Sequence, residues 1–333
     1  MKKSYLLKRF LWTVIVFFII LTICFFLPRI GIDDPCQRYY PAQGSLSDSE
    51  YELIKELTRR EYGLDGSVLS QYGRYLVELF RGSLGTSYQT GNPKVIDLIT
   101  SRLPWTLWLS VLNLVISMVF GSLIGTYCAF RHGKAADKTL LNLSTLTTAI
   151  PAFFIALLFS YFLGFQLEWF PAYTDQTLFA DFSFSWESIG KLVYNSFLPI
   201  LSMAIGSIVS FSQDTRNSVI SVSEEDYITF AKAKGLSQNQ VLYKHMLRNA
   251  MLPIATNVGM SVSGLMGGSI VIEQIFNWNG LGNLFLEANN NNDYPLMMGI
   301  IIFMSGFALV ASLITDFTYS LLDPRVTFGE KTR

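Results

Sequence analysis

Apolar positions in this chain of 333 residues fall in long unbroken blocks and do not alternate with charged ones. Six stretches contain no Asp, Glu, Lys, Arg or His: 10–28, 105–130, 140–165, 192–213, 250–272 and 294–315, each 19 to 26 residues long. A bilayer core is crossed by about 20 apolar residues of helix. Buried helices of soluble proteins are usually shorter and keep a polar stripe. The pattern therefore predicts an all-α integral membrane protein with six transmembrane helices. Lys2, Lys3, Lys8 and Arg9 precede the first run, but its end, from Cys24 to Arg29, lacks the small residues of a cleavage site. That predicts a retained first span.

The segments between the runs set the organisation. Residues 1–28 hold the amino terminus and first span, 105–315 the remaining five spans, and 316–333 a tail. Residues 29–104 are too many for a connector and predict a small helical cap. Ser47-Asp48-Ser49-Glu50 has the capping-box pattern, with Tyr51, Ile54 and Leu57 following at helical spacing and Tyr62-Gly63 closing the helix. A second helix is expected over 68–81, with Leu69, Tyr72, Leu76 and Phe80 on one face and Gly82 after it, and a short third over 93–102. The cap either packs on the spans or docks a partner. Trp169, Phe170, Tyr173 and Trp186 in the 166–191 loop read as an interfacial aromatic belt, and Asn289–Asn292 reads as a turn.

Within the spans small residues recur. Gly121-x-x-x-Gly125 and Gly264-x-x-x-Gly268 are spaced for close helix approach. The fifth run adds Gly259, Ser261, Ser263, Gly267 and Ser269, and so little side-chain volume suits either ordinary packing or the lining of a path. Pro151, Pro199 and Pro253 predict kinks. No Asp, Glu, Lys, Arg or His lies inside a run, unlike most pumps and ion-coupled carriers.

Charge adds an orientation. Lys plus Arg and Asp plus Glu each number 25, and only 15% of residues are charged, against about 25% in ordinary globular chains. A net charge of zero argues against a nucleic-acid binder. With the amino terminus in the cytoplasm, the inner segments 1–9, 131–139, 214–249 and 316–333 carry 15 basic and 8 acidic residues, and the outer segments 10 and 17. The short outer loops hold a single basic residue, Lys191, so the positive-inside rule puts both termini in the cytoplasm and the cap outside. Cys24 and Cys128 lie in spans and Cys36 is outside, so no disulfide framework is expected. His132 and His245 sit in different loops, which leaves no metal cluster in prospect.

The long inner loop 214–249 has ordered chemistry. Ser223 is placed to cap a helix opening with Glu224, Glu225 and Asp226; Lys232 and Lys234 fall in its last turn, and Gly235 takes the C′ position. Ser237-Gln238-Asn239-Gln240 opens a second helix through Leu247. Two short helices hinged at Gly235 form an elbow. Its apolar residues, Tyr227, Phe230, Ala231, Leu236, Val241 and Leu242, exceed what its own packing requires, which suits a grip for a soluble partner.

The run from Asp226 through Tyr227, Phe230, Ala231, Lys234, Gly235 and Leu236 to Ser237, followed by His245, Arg248-Asn249-Ala250 and Pro253, resembles the coupling motif of permeases in binding-protein-dependent ABC importers. Gly63-Leu64-Asp65, Arg81–Ser87, Arg102-Leu103-Pro104, Asp293-Tyr294-Pro295 and Leu321–Arg325 extend the resemblance to the first permease of the dipeptide/oligopeptide/nickel group. The chain departs from that motif where Thr229-Phe230-Ala231 replaces Glu-Ala-Ala, and Ile32–Pro35 is a loose version of the usual Gly-Asp-Pro. The resemblance implies the type I importer fold and a pair of related permeases. It also implies two ATP-binding subunits, each gripping one elbow, and an extracytoplasmic binding protein. ATP and Mg would be bound by those partners and no cofactor by this chain. In agreement, no Gly-x-x-x-x-Gly-Lys-Ser/Thr occurs, since Gly133-Lys134 and Gly190-Lys191 continue to Ala135 and Leu192.

The expected role is thus a non-enzymatic permease subunit in the cell membrane, passing oligopeptides or dipeptides by alternating access coupled to ATP hydrolysis on its partners. Oligosaccharides are the alternative cargo, with nickel behind them. A stand-alone secondary carrier would need mid-membrane ionisable groups or an inverted repeat, and an intramembrane enzyme would need His-Glu-x-x-His or paired carboxylates. Neither set is found.

Overall fold

In lipid, every backbone amide must close its hydrogen bond within its own segment or find a neighbour. The computed structural model describes residues 3–30, 40–41, 47–61, 63–89, 91–237, 240–267 and 270–322, and among these the chain is helical with a single isolated bridge, Thr86 to Lys94. Four helices contain stretches long and apolar enough to cross a membrane: α1 (Lys3–Ile30), α4 (Val95–Phe130), α8 (Trp186–Ser223) and α13 (Tyr294–Leu322). They correspond to the first, second, fourth and sixth uncharged runs.

The other two runs are interrupted. In the third, α5 (Ala135–Ala149) and α6 (Ala152–Phe159) meet at 89°, and α6 continues as a π turn over Ser160–Gln166. Pro151 forces Ile150 out of the helical region, to φ −101° and ψ 114°. In the fifth, α10 (Leu247–Ser263) stops at Gly264, and a turn through Gly267 precedes α11 (Ile270–Ile275). Glycine costs about 1 kcal/mol relative to alanine inside a helix, so this Gly-rich stretch has little reason to stay wound. Pro104 and Pro199, by contrast, sit inside α4 and α8 without ending either helix.

The chain divides into two compact units. The first comprises 1–10, 104–283 and 307–333. Its upper core gathers Leu109, Phe179, Leu192, Ile200 and Trp278, with Trp105 edge-on to Phe179 at 5.0 Å. Gly121 and Gly125 lie against α8: an added Cβ would collide with the Phe211 side chain at one and with the Ser212 carbonyl and Thr215 at the other. That is the close approach their spacing predicted. Two short helices complete one side of this unit, α7 (Thr177–Ala180) and the start of α12 (Leu281–Asn290). Buried Glu273 holds this side together, accepting from Thr106 Oγ1 at 2.8 Å and the Gly282 and Asn283 amides at 2.7 and 3.2 Å. Trp278 Nε1 donates to the Trp105 carbonyl at 2.9 Å. Of the residues read as an interfacial belt, Trp169, Tyr173 and Trp186 are exposed, whereas Phe170 stacks on Phe197 at 4.2 Å and packs inward.

The second unit comprises 11–103 and 284–306. Its α2 (Asp48–Glu61) begins as predicted, with the Ser47 amide donating to Glu50 Oε2 at 3.1 Å. α3 (Val68–Phe80) is capped by Ser67 and followed by Gly82 at φ +81°. Its packed face differs from expectation. Tyr72, Tyr75 and Leu79 join Leu21, Phe25 and Met298, whereas Leu69 and Phe80 are exposed. The inward stripe is shifted because Gln71 is buried too, donating to the Leu64 and Gly66 carbonyls. The short third helix does not exist separately, since Val95 already begins α4, and the sequence boundary at 104 falls inside that helix. Asn289 and Asn290 end α12, and the turn is made by Asn291 and Asn292, the latter at φ +54°. Cys36, Ile32–Pro35 and Asp323–Arg325 lie outside the described residues.

Candidate functional site

The elbow begins where α8 runs ten residues past the fourth uncharged run, to Ser223. Ser223 therefore does not cap the next helix. Its hydroxyl donates back to the Ile220 carbonyl at 2.7 Å, and Glu225 is the N-cap of α9 (Asp226–Ala233). Lys234 ends α9, and Gly235 adopts φ +77° with its amide on the Lys232 carbonyl, the left-handed C′ geometry that glycine permits. The next turn opens on a reciprocal box: the Ser237 amide donates to Gln240 Oε1 at 3.1 Å and the Gln240 amide to Ser237 Oγ at 3.4 Å. Val241–Met246 then form a π turn that runs directly into α10, where a separate helix ending at Leu247 was expected.

Burial divides the predicted grip. Ile228, Ala231 and Val241 are buried together against Val222, Leu236 and Met246, so Ala231 and Leu236 serve the elbow's own packing. Asp226, Tyr227, Phe230, Lys234 and Ser237 are exposed. Phe230 is 61% exposed and lies under the Lys234 ammonium, 4.6 Å from the ring centroid. The Tyr227 hydroxyl accepts from Asn249 Nδ2 at 2.7 Å, which ties α9 to α10. Positions 227, 230 and 234 follow the i, i+3, i+7 rule of one helix face. Nothing is described of the Leu242 side chain.

The elbow's root is braced by a feature absent from the sequence reading. Asp137, in the first turn of α5, pairs with Arg216 of α8, with 3% and 11% of the two side chains exposed. Asp137 also accepts from the Gly133 amide at 2.8 Å and lies 2.9 Å from His132 Nδ1. No local pattern links positions 79 residues apart.

A second site lies at mid-height of the same unit. A cavity of about 240 Å³ is lined by α4, α6, α8 and the broken fifth run. Its polar wall is Ser110, Asn113, Ser117, Ser207 and Ser261, and its apolar wall includes Met203, Phe211 and Ile272. Asn113 Nδ2 donates to Ser207 Oγ at 3.4 Å, and Ser117 Oγ to Asn113 Oδ1 at 3.4 Å. Ser110 Oγ donates to the Leu265 carbonyl at 2.5 Å, satisfying a group that the helix break sets free. Positions 110, 113 and 117 form a polar stripe on α4 that was visible in the sequence but passed over for the glycines. Among the described residues, no ionisable side chain lines this cavity.

The glycines of the fifth run have separate fates. An added Cβ at Gly259 would collide with Thr315 of α13, so that position is a helix contact. Gly264 ends α10 beside the cavity, and Gly267 has open space around its α-carbon. An added Cβ at Gly264 would meet only the Ser261 carbonyl, at 3.5 Å, and Gly268 lies outside the described residues.

An elbow between two spans and a polar cavity at a broken helix frame the comparison with known proteins. Residues 121–328 match the family described as binding-protein-dependent transport system inner membrane component. The chain belongs to that family. It is 31% identical over 325 residues to the oligopeptide transport system permease protein AppB of Bacillus subtilis, covering 98% of this chain and 99% of the relative. It is 33% identical over 302 residues to a putative peptide permease of Brucella ovis, at 91% and 92% coverage. The glutathione transport system permease GsiC of Escherichia coli K12 matches at 30% over 325 residues, at 98% and 99%. As a family member, this permease is a subunit of a membrane-embedded ABC importer, and the helical architecture agrees with the type I importer fold.

Proposed function

We propose that this permease carries peptides into the cell, drawing its energy from ATP hydrolysis on partner subunits that grip the elbow. The observation that carries the reading is the outward face of α9, where Tyr227, Phe230 and Lys234 are exposed while Ile228 and Ala231 pack inward. An aromatic ring left 61% in solvent on a short, internally packed helix is a surface made to be covered. The motor is placed on other chains because this one has no phosphate-binding loop. A second related permease, two ATP-binding subunits with ATP and Mg, and an extracytoplasmic binding protein complete the assembly, with both termini of this chain cytoplasmic.

Peptide cargo is supported by the relatives named for oligopeptide, peptide and glutathione transport. The cavity suits it, since neutral hydroxyls and an amide can exchange hydrogen bonds with peptide groups without trapping charge. In the alternating-access cycle, nucleotide-driven closure moves the elbows, and the break at Gly264 lets the fifth span bend beside the cavity.

The test is uptake of labelled oligopeptides by cells carrying Phe230→Asp. Normal amounts of the variant in the membrane with uptake reduced at least about tenfold are expected, the usual cost of losing an interface anchor. Full uptake by Phe230→Asp and by Tyr227→Asp would remove the elbow from the mechanism. Uptake of oligosaccharides and not peptides by the wild-type assembly would overturn the cargo.

A further inference from the structure

The second unit contains a cavity of about 310 Å³ between the outer end of α1 and α3, distinct from the elbow and from the mid-height cavity. Its walls include Phe25, Leu84 and Met298, and three charged residues: Arg29, Arg74 and Glu78. Two of the three are already engaged. Arg74 pairs with Asp65 at 2.9 Å and donates to the Gly63 and Asp65 carbonyls, and this pairing draws the Asp65 carboxyl below its usual range. Glu78 accepts from Arg81 at 3.2 Å.

Arg29 has no such partner. Its guanidinium lies over the Phe25 ring at 3.7 Å, and Nη1 donates to the Phe25 carbonyl at 2.6 Å. Nε is buried with no hydrogen-bond partner, and among the described residues no carboxylate is within ion-pair distance. The hydroxyls of Tyr75 and Tyr294, both close enough to act on Arg29 electrostatically, are likewise buried and unpartnered. A buried orphan donor costs about 1–3 kcal/mol, and an unpaired buried cation costs more. The Arg29 guanidinium and the Tyr75 phenol are two donor groups on the cavity wall, with the Tyr294 phenol acting on Arg29 from outside it, and what they lack is an oxyanion.

Depth identifies its source. The apolar part of α1 is the 20 residues Leu7–Phe26. At about 1.5 Å per residue this is one hydrocarbon thickness, which puts Arg29 within a turn of the phospholipid phosphates. Beside this unit's core Phe18, Val77 and Phe80 are exposed, with the Phe18 and Phe80 rings 6.2 Å apart, an apolar patch of the kind a lipid-facing surface requires. We propose that the cavity binds the phosphate of an outer-leaflet phospholipid, with Arg29 as its counter-ion, the Tyr75 hydroxyl as a donor and the Phe25, Leu84 and Met298 walls against its glycerol end. This inference does not depend on the cargo.

The experiment uses the intact transporter complex, delipidated in detergent and titrated with dioleoylphosphatidylglycerol, with dioleoylglycerol (the same chains without phosphate) and with inorganic phosphate. Bound lipid is counted by native mass spectrometry, and thermal unfolding is followed in parallel. One tightly held phosphatidylglycerol is expected, with no site for dioleoylglycerol. Arg29→Leu should weaken this binding at least about tenfold, and Arg29→Lys should retain part of it. Unchanged binding in folded Arg29→Leu would overturn the proposal. Equal stabilisation by inorganic phosphate alone would convert the site into one for a free anion, and stabilisation by a peptide but not by lipid would make it a cargo site; either outcome overturns the lipid assignment. Asp33 and Asp34 follow Arg29 closely in sequence. If Asp33→Asn/Asp34→Asn lowers stability as Arg29→Leu does, and the changes are not additive, the counter-ion belongs to this chain and the proposal fails.

Discussion

Ala231 and Phe230 are neighbours in sequence with opposite tasks. Both are apolar and both belong to the motif that resembles importer permeases, but Ala231 is 6% exposed and Phe230 61%. A charge introduced at Ala231 therefore breaks the elbow's own core before it touches any partner, whereas one at Phe230 acts at the surface. The sequence showed that these residues are apolar on a short helix and could not say which way each points. The Asp137–Arg216 pair carries a sharper residue-scale prediction. Removing one member leaves a buried charge uncompensated, so Asp137→Ala should destabilise the permease by about 3–5 kcal/mol, whereas Asp137→Leu with Arg216→Met should recover most of the loss. Thermal unfolding of the two purified variants checks this, and equal destabilisation by single and double changes would contradict it.

Among elements, the informative contrast is between two glycine pairs of identical spacing. Gly121 and Gly125 sit in a continuous helix and admit α8 to backbone contact, while Gly264 stands where a helix ends. In the first case the intervening residues are good helix or span formers, Ser122-Leu123-Ile124. In the second, Leu265-Met266-Gly267 adds a third glycine, and Ser110 of α4 takes up the carbonyl released at Leu265. A neighbour's hydroxyl is what makes the break stable, and it is supplied from 155 positions away. Gly125→Leu should cost about 1–3 kcal/mol through forced separation of α4 and α8, seen as a lower unfolding temperature and less assembled transporter. Ser110→Ala should cost about 0.6 kcal/mol and no more than about 1.7, the average and the largest value for single hydrogen bonds between membrane helices. Its larger effect should be on uptake, measured beside unfolding, because the cavity loses a donor at the break.

At the scale of the whole molecule, the distribution of charge carries the orientation. Basic residues outnumber acidic by seven on the side assigned to the cytoplasm, and the reverse holds outside. Phe184, 94% exposed, and Phe230 fall on opposite sides in that arrangement. With Cys24 and Cys128 buried, a cysteine at either position can be addressed selectively once Cys36 is replaced by serine. A membrane-impermeant thiol reagent added to intact cells should label Phe184→Cys at once, and Phe230→Cys only after permeabilisation. The opposite pattern would invert the topology and place the elbow where no ATP-binding subunit could reach it.

The six runs, their helical nature, the first two helices of the 29–104 segment, the Gly235 hinge and the capping box at Ser237 were all legible in the sequence. Each is a local consequence of hydrophobic length, capping chemistry or a single residue's backbone freedom. Tertiary structure alone decided where two of the uncharged runs break, which stripe of α3 packs, that Ala231 turns inward, and that Asp137 meets Arg216, because each depends on a group supplied from a distant helix. It also decided that Ser110, Asn113 and Ser207 share a cavity and that, among the described residues, no carboxylate pairs with Arg29. A span announces itself by being uncharged over enough length, but the few polar atoms it carries acquire meaning only from the neighbours that satisfy them or leave them wanting.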